Sequence, residues 1–119
     1  MARLLVVDDA AFVRKLLAEV LSRGGHEVVG EAADGVEAVV RYRELRPDVM
    51  TLDITMPWRD GLSALREVVG AFPGARVVMC SAHGEESKVR EALSAGARDF
   101  VVTPFVADHM LSAVGRALV

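Results

Sequence analysis

An α/β fold built on a doubly wound, five-stranded parallel sheet is predicted by two observations. Five short, valine-rich runs recur along the chain with little apolar–polar alternation, as in strands buried on both faces. Between them lie stretches with apolar residues at helical spacing. Strict alternation of the two, joined by right-handed crossovers, makes a parallel sheet with helices on both faces. Five strands suit an open sheet better than a barrel.

The elements follow in order. Strand one is LLVV (4–7), which runs into Asp8-Asp9. Phe12, Val13, Leu16, Leu17, Val20 and Leu21 form the first helical stripe, and Gly24-Gly25 ends it. EVVGEA (27–32) is strand two. Asp34-Gly35 opens helix two, with Asp34 as N-cap and Glu37 three residues on; Val36, Val39 and Val40 are its stripe. Pro47 separates that helix from strand three, VMTL (49–52). Asp60-Gly61 opens helix three, striped by Leu62, Leu65, Val68, Val69 and Phe72. RVVMC (76–80) is strand four. Val89, Ala92 and Leu93 mark helix four, with Gly96 just past its end. FVV (100–102) is strand five, and Met110, Leu111, Val114 and Leu118 mark helix five.

The chain has 119 residues and is 52% apolar, enough for one domain with a real core. Fourteen basic and 17 acidic residues leave a formal charge of −3, which gives no electrostatic reason to expect nucleic acid or an anionic membrane as partner. Lys15 and Lys88 are the only lysines. The lone Cys80 cannot form a disulfide within the chain and reads as a buried thiol in a reducing compartment. The apolar run before Asp8 is too short for a signal-peptide core, and none approaches the length of a membrane span. A soluble, cytoplasmic, monomeric protein is expected.

Ligands of open α/β sheets sit outside the carboxyl ends of the strands. Here those ends carry Asp8-Asp9, Asp53, Ser81 and Thr103-Pro104. A nucleotide-binding fold would put glycines after strand one, whereas DDAAF offers two carboxylates and would repel a phosphate. Asp9 alone reads as a helix cap. Asp8, Asp9 and Asp53 together would raise each other's pKa and lose hydration, unless a hard divalent cation such as Mg²⁺ compensates. Asp53 is also a candidate nucleophile, because carboxylates form aspartyl-phosphates. Ser81 is placed to hydrogen-bond a phosphoryl oxygen.

LLVVDDAAFVRKLL, DVMTLDITMPWRDGL, VVMCSAHG and GARDFVVTPF resemble the receiver domain of two-component response regulators, and more narrowly stand-alone chemotaxis receivers of the CheY type. The resemblance spans the chain. It implies one receiver domain over 1–119 with no output domain, and a flavodoxin-like (βα)5 fold with strand order 2-1-3-4-5. It makes Asp53 the phosphoryl acceptor, Asp9 a direct Mg²⁺ ligand, and Asp8 a ligand through water. Thr55 is the position whose backbone carbonyl completes the coordination. Ser81 is the hydroxyl that moves onto the phosphoryl group, and Phe100 the aromatic that follows it. Thr55 and His83 match two variable positions that tune dephosphorylation. The implied partners are a histidine kinase of the CheA type and a flagellar switch protein, which meets the surface of helix four, strand five and helix five. A phosphatase is admitted as a third. His26 and His109 read as surface residues, and Trp58 as half exposed near the metal.

One position departs. The family carries a lysine before the proline of strand five, and a cis bond there; this chain has Thr103. The lysine's ammonium serves Asp53 at rest and the phosphoryl oxygens afterwards. Threonine offers one neutral hydrogen bond and a shorter reach, leaving Arg59 or Lys88 as other sources of charge. Thr103 therefore supports an alternative, a receiver-like protein-interaction module with impaired or lost phospho-signalling. A small phosphatase with an aspartate nucleophile is disfavoured, because Thr55 stands where its second acid would be.

Overall fold

In a computed structural model, five parallel strands alternate with five helices, as the two periodicities require; residues 1–82 and 84–119 are described. The strands are β1 (Arg3–Val7), β2 (Glu27–Ala32), β3 (Val49–Leu52), β4 (Val77–Ser81) and β5 (Asp99–Val102). The helices are α1 (Ala11–Arg23), α2 (Gly35–Leu45), α3 (Gly61–Ala71), α4 (Glu86–Ser94) and α5 (Ala107–Ala117). The sheet order is β2-β1-β3-β4-β5 and every pairing is parallel. The order reverses between β1 and β3, so the carboxyl ends of those two strands flank the place where such sheets bind ligands.

Successive side chains of a strand point to opposite faces, and the core divides accordingly. Leu5 and Val7 of β1, Met50 and Leu52 of β3, and Val77 and Met79 of β4 join a cluster covered by α2, α3 and α4. Leu4, Val6, Val49, Val78 and Cys80 join the other, covered by α1 and α5. Because both faces are covered, β1, β3 and β4 read as nearly continuous apolar runs, with Thr51 the polar residue inside β3.

The expected caps form. Asp34 accepts from the Glu37 N–H at 2.8 Å, and the Glu37 carboxylate accepts from the Ala33 N–H at 3.1 Å, so each serves the other's neighbourhood. Asp60 caps α3 by accepting from the Ser63 N–H at 2.8 Å. Gly96 ends α4 at φ +113, where an L side chain would be strained.

The helical stripes are narrower than their spacing suggests. In α1 only Leu17 and Leu21 are buried, while Phe12 is 76% exposed and Leu16 is also exposed. α1 shares its face of the sheet with α5, so only one edge of it meets the core. Val36, Val40 and Leu93 are likewise exposed.

Candidate functional site

β1 and β3 lie side by side with Val7 opposite Leu52, and the next residue on each strand is an aspartate. The ladder continues one step beyond the strands: the Asp8 N–H donates to the Ala32 carbonyl and the Asp53 N–H to the Val7 carbonyl, both at 3.1 Å. These bonds fix both backbones. Asp9 follows in the turn before α1. One carboxylate oxygen from each of Asp8, Asp9 and Asp53 lies within 4.8 Å of the others. Asp8 is 6% and Asp53 9% exposed, while Asp9 faces solvent. Asp8 Oδ1 accepts from the Ala10 N–H at 2.9 Å, and Asp53 Oδ1 from the Ile54 N–H at 2.8 Å.

Burial pushes the Asp8 carboxyl up from 3.8 to about 6, against the lowering effect of the Ala10 hydrogen bond; the Asp53 and Asp9 carboxylates add to the rise. Three clustered carboxylates, one of them reluctant to ionise, favour a cation among them. The donor set is oxygen only, which suits a hard divalent cation and specifically Mg²⁺. The Arg14 guanidinium donates to the Asp8 carbonyl at 2.7 Å, and that cation also pairs with Glu31 at 3.0 Å.

Ser81 ends β4 at 1% exposure, on the strand next to β3. Thr103 follows β5, its N–H donating to the Ser81 carbonyl at 3.0 Å, and the Thr103-Pro104 bond is cis as the resemblance implied. β5 is two strand spacings from β3, about 9–10 Å. A threonine side chain is much shorter than that gap, whereas a lysine in its place could span most of it. Arg59 is not at hand: its Nε donates to Ser63 Oγ at 2.9 Å and it pairs with Glu67. Lys88 stands in the first turn of α4, outside the cluster of acids. Phe100 packs against the larger core cluster and lines a cleft of about 410 Å³ with Val101, Val102, His109, Ser112 and Arg116. It therefore joins the interior to the β5–α5 surface.

Thr55 is exposed, two residues past Asp53 at the carboxyl edge of the sheet. His83 lies outside the described residues. His26 is not a bare surface residue, since its Nδ1 accepts from the Ala2 N–H at 3.1 Å. Trp58 is 88% exposed rather than half-buried, so it stands on the rim of the site. Two features gave no sequence signal as site elements. Gly61, which reads as a helix opener, has its N–H donating to Ile54 O at 2.6 Å, backbone against backbone beside Asp53. Arg14, one turn into α1, braces the Asp8 carbonyl.

Burial, with Asp8 and Asp53 nearby, raises the Cys80 thiol to about 12. At neutral pH the folded protein should therefore resist thiol-reactive dyes, and the same dye should label one thiol on unfolding in urea. Rapid labelling of the native state would contradict the burial.

The family model of the response regulator receiver domain matches residues 4–115. The Bacillus subtilis chemotaxis protein CheY is 49% identical over 116 residues, covering 98% of this chain and 97% of its own length. The Thermotoga maritima CheY is 46% identical over 114 residues, 96% of this chain and 95% of that protein. Among solved structures, the Borrelia burgdorferi CheX–CheY–BeF₃–Mg²⁺ complex superposes with a TM-score of 0.96 at 38% identity, covering 98% of this chain and 89% of that one. With a matching fold, an acidic trio at the sheet's switch point and near-full-length likeness to chemotaxis receivers, the chain belongs to the response regulator receiver family, as a chemotaxis response regulator of the CheY type.

Proposed function

We propose that Asp53 takes a phosphoryl group from the phosphohistidine of a histidine kinase in a Mg²⁺-dependent reaction, and that the phosphorylated state changes the α4–β5–α5 face so that it binds a target protein. The observation that carries this is the convergence of the three carboxylates within 4.8 Å at the sheet's switch point. In the transfer, an Asp53 carboxylate oxygen forms a P–O bond as the donor's P–N bond breaks. The imidazole leaves with the electron pair and takes up a proton from solvent. Asp9 and Asp53 would hold the metal directly, Asp8 through water, and Thr55 by its backbone carbonyl. When bound, Mg²⁺ neutralises charge on the transferring phosphoryl oxygens.

Ser81 would donate its hydroxyl to a phosphoryl oxygen. Its movement would be felt at Phe100, which shares the β4–β5 pairing and lines the cleft that reaches the surface. The likeness to chemotaxis receivers favours a CheA-like kinase as donor and a flagellar switch protein as target. A CheX-like protein is a further candidate partner, by likeness to the Borrelia assembly. The same likeness favours a monomer working in the cytoplasm. No helix among the described residues is long and apolar enough to cross a membrane.

Acetyl phosphate with Mg²⁺ tests the reading. Mass spectrometry should find a phosphoryl adduct on the peptide containing Asp53, lost when the metal is chelated. No adduct at any Mg²⁺ concentration would sink it. The same assay applied to Thr103→Lys should show labelling about tenfold faster, since lysine brings to the acids an ammonium charge that threonine lacks, and tenfold is about 1.4 kcal/mol. An unchanged rate would mean that another cation already fills the lysine's role.

A further inference from the structure

Trp58 combines exposure with a strained backbone, in a loop whose next residue is tied to the start of α2 by the Gly35 N–H donating to the Arg59 carbonyl at 3.1 Å. Its side chain is 88% exposed. Its φ is +68, a left-handed conformation that a bulky residue adopts only under strain. The Arg59 N–H donates to the Pro57 carbonyl at 2.7 Å, which closes a three-residue γ-turn with Trp58 at its apex. Turns of that kind with positive φ are rare and strained. Glycine or asparagine would sit there at lower cost. Strain of this sort persists at ligand clamps and switch regions.

The position of the turn gives the strain a use. Trp58 lies in the loop between β3 and α3, five residues after Asp53. Phe12 is 76% exposed in the first turn of α1, three residues after Asp9, and lines a shallow hollow with Lys15, Leu16 and Glu19. The segments carrying these two aromatics, a loop and a helix start, follow adjacent strands, whose carboxylates meet within 4.8 Å. Asp53 itself is only 9% exposed, so a protein that delivers a group to it has to come close to the segments that follow β1 and β3.

The protein's own charge does not favour that approach. The site presents three aspartates, the chain carries −3, and the incoming phosphoryl group is itself anionic. Mg²⁺ in the site would draw the phosphoryl group itself, and apolar contact around the acids would hold the protein that carries it. An aromatic side chain buries about 150–250 Å² when covered, and tryptophan is among the residues most enriched at binding hot spots.

We propose that Trp58 is the docking anchor for the protein phosphodonor, received by an apolar surface beside the donor's phosphohistidine, and that Phe12 forms the opposite wall. The proposal rests on the reading of Asp53 as phosphoryl acceptor. It makes Trp58 a specificity-determining residue, because a small donor of the same P–N chemistry touches Asp53 without touching the rim.

The test compares phosphoryl transfer from an autophosphorylated chemotaxis histidine kinase with transfer from phosphoramidate, a small molecule that also breaks a P–N bond. Trp58→Gly should slow transfer from the kinase about tenfold or more, the loss expected of a hot-spot residue. It should leave phosphoramidate labelling within about twofold of wild type, and Trp58→Phe should restore much of the kinase rate. The thermal midpoint of Trp58→Gly should rise as the strained turn relaxes. Three results would overturn the proposal: equal slowing with both donors, no slowing with the kinase, or a fall in thermal midpoint. A wild-type protein labelled by neither phosphoramidate nor acetyl phosphate would instead refute Asp53 as acceptor, which keeps the two failures distinct.

Discussion

At neutral pH and without divalent cations, Asp8→Asn is expected to raise the free energy of unfolding by about 2–3 kcal/mol. Folding lifts the Asp8 carboxyl from 3.8 to about 6, with burial as the main cause. A shift of that size corresponds to about 3 kcal/mol at 1.36 kcal/mol per pH unit. The side chain is 6% exposed, so solvent screening takes away little of it. The folded state holds this proton more tightly than the unfolded chain does. The group's contribution to stability is therefore complete below 3.8, falls as pH rises through the interval, and is gone above about 6. Asparagine has no charge to bury, and its Oδ1 can still accept from the Ala10 N–H. The gain of the variant over wild type should be near zero below the interval and level off above it. Saturating Mg²⁺ should reverse the ranking, because a cation bound only to the folded state stabilises wild type by mass action. Urea denaturation across pH, with and without Mg²⁺, reads all of this. A gain that does not vary with pH would show that the acid cluster is not its source.

The features legible in the sequence were those with a local cause. The runs ending in Asp8, Asp53 and Ser81 announce buried strands by composition, and the strand-end rule then places the acids together without any knowledge of the fold. Asp34 and Asp60 announce helix starts because a cap is satisfied within three residues. Contacts that depend on how segments pack were not legible. Arg14 and the Asp8 carbonyl are six residues apart, yet nothing in AAFVRK tells an arginine that braces a strand end from one that faces solvent. The exposure of Phe12 and Leu16 depends on where α5 packs beside α1. The shorter reach of Thr103 follows from its residue type, but the gap it faces, two strand spacings wide, appears only once β4 is seen to lie between β3 and β5. Trp58 gave no sign of its conformation, since positive φ is ordinarily announced by glycine or asparagine.

Gly61→Ala should cost more than about 3 kcal/mol and weaken Mg²⁺ binding with it. A Cβ on Gly61 would lie 1.8 Å from the Asp53 carbonyl oxygen, 2.7 Å from its carbonyl carbon and 2.9 Å from Ile54 Cα. All three are backbone atoms, so no rotamer change relieves the clash. The Gly61 N–H is already bonded to Ile54 O at 2.6 Å, which leaves no slack between the start of α3 and the end of β3. The variant must either push α3 outward, opening a core that holds Leu62, Leu65 and Val68, or shift the Asp53 backbone that positions the carboxylate. The first route shows as lost stability and the second as lost metal affinity, so the two measurements together locate the strain. Gly70 supplies the control within the same helix. No atom stands within 4 Å of the place a Cβ would take there, and Gly70→Ala should stabilise by about 0.5–1 kcal/mol through helix propensity alone. If Gly61→Ala unfolds within about 1 kcal/mol of wild type and binds Mg²⁺ normally, then the contact between α3 and the strand end is not what sets the position of Asp53.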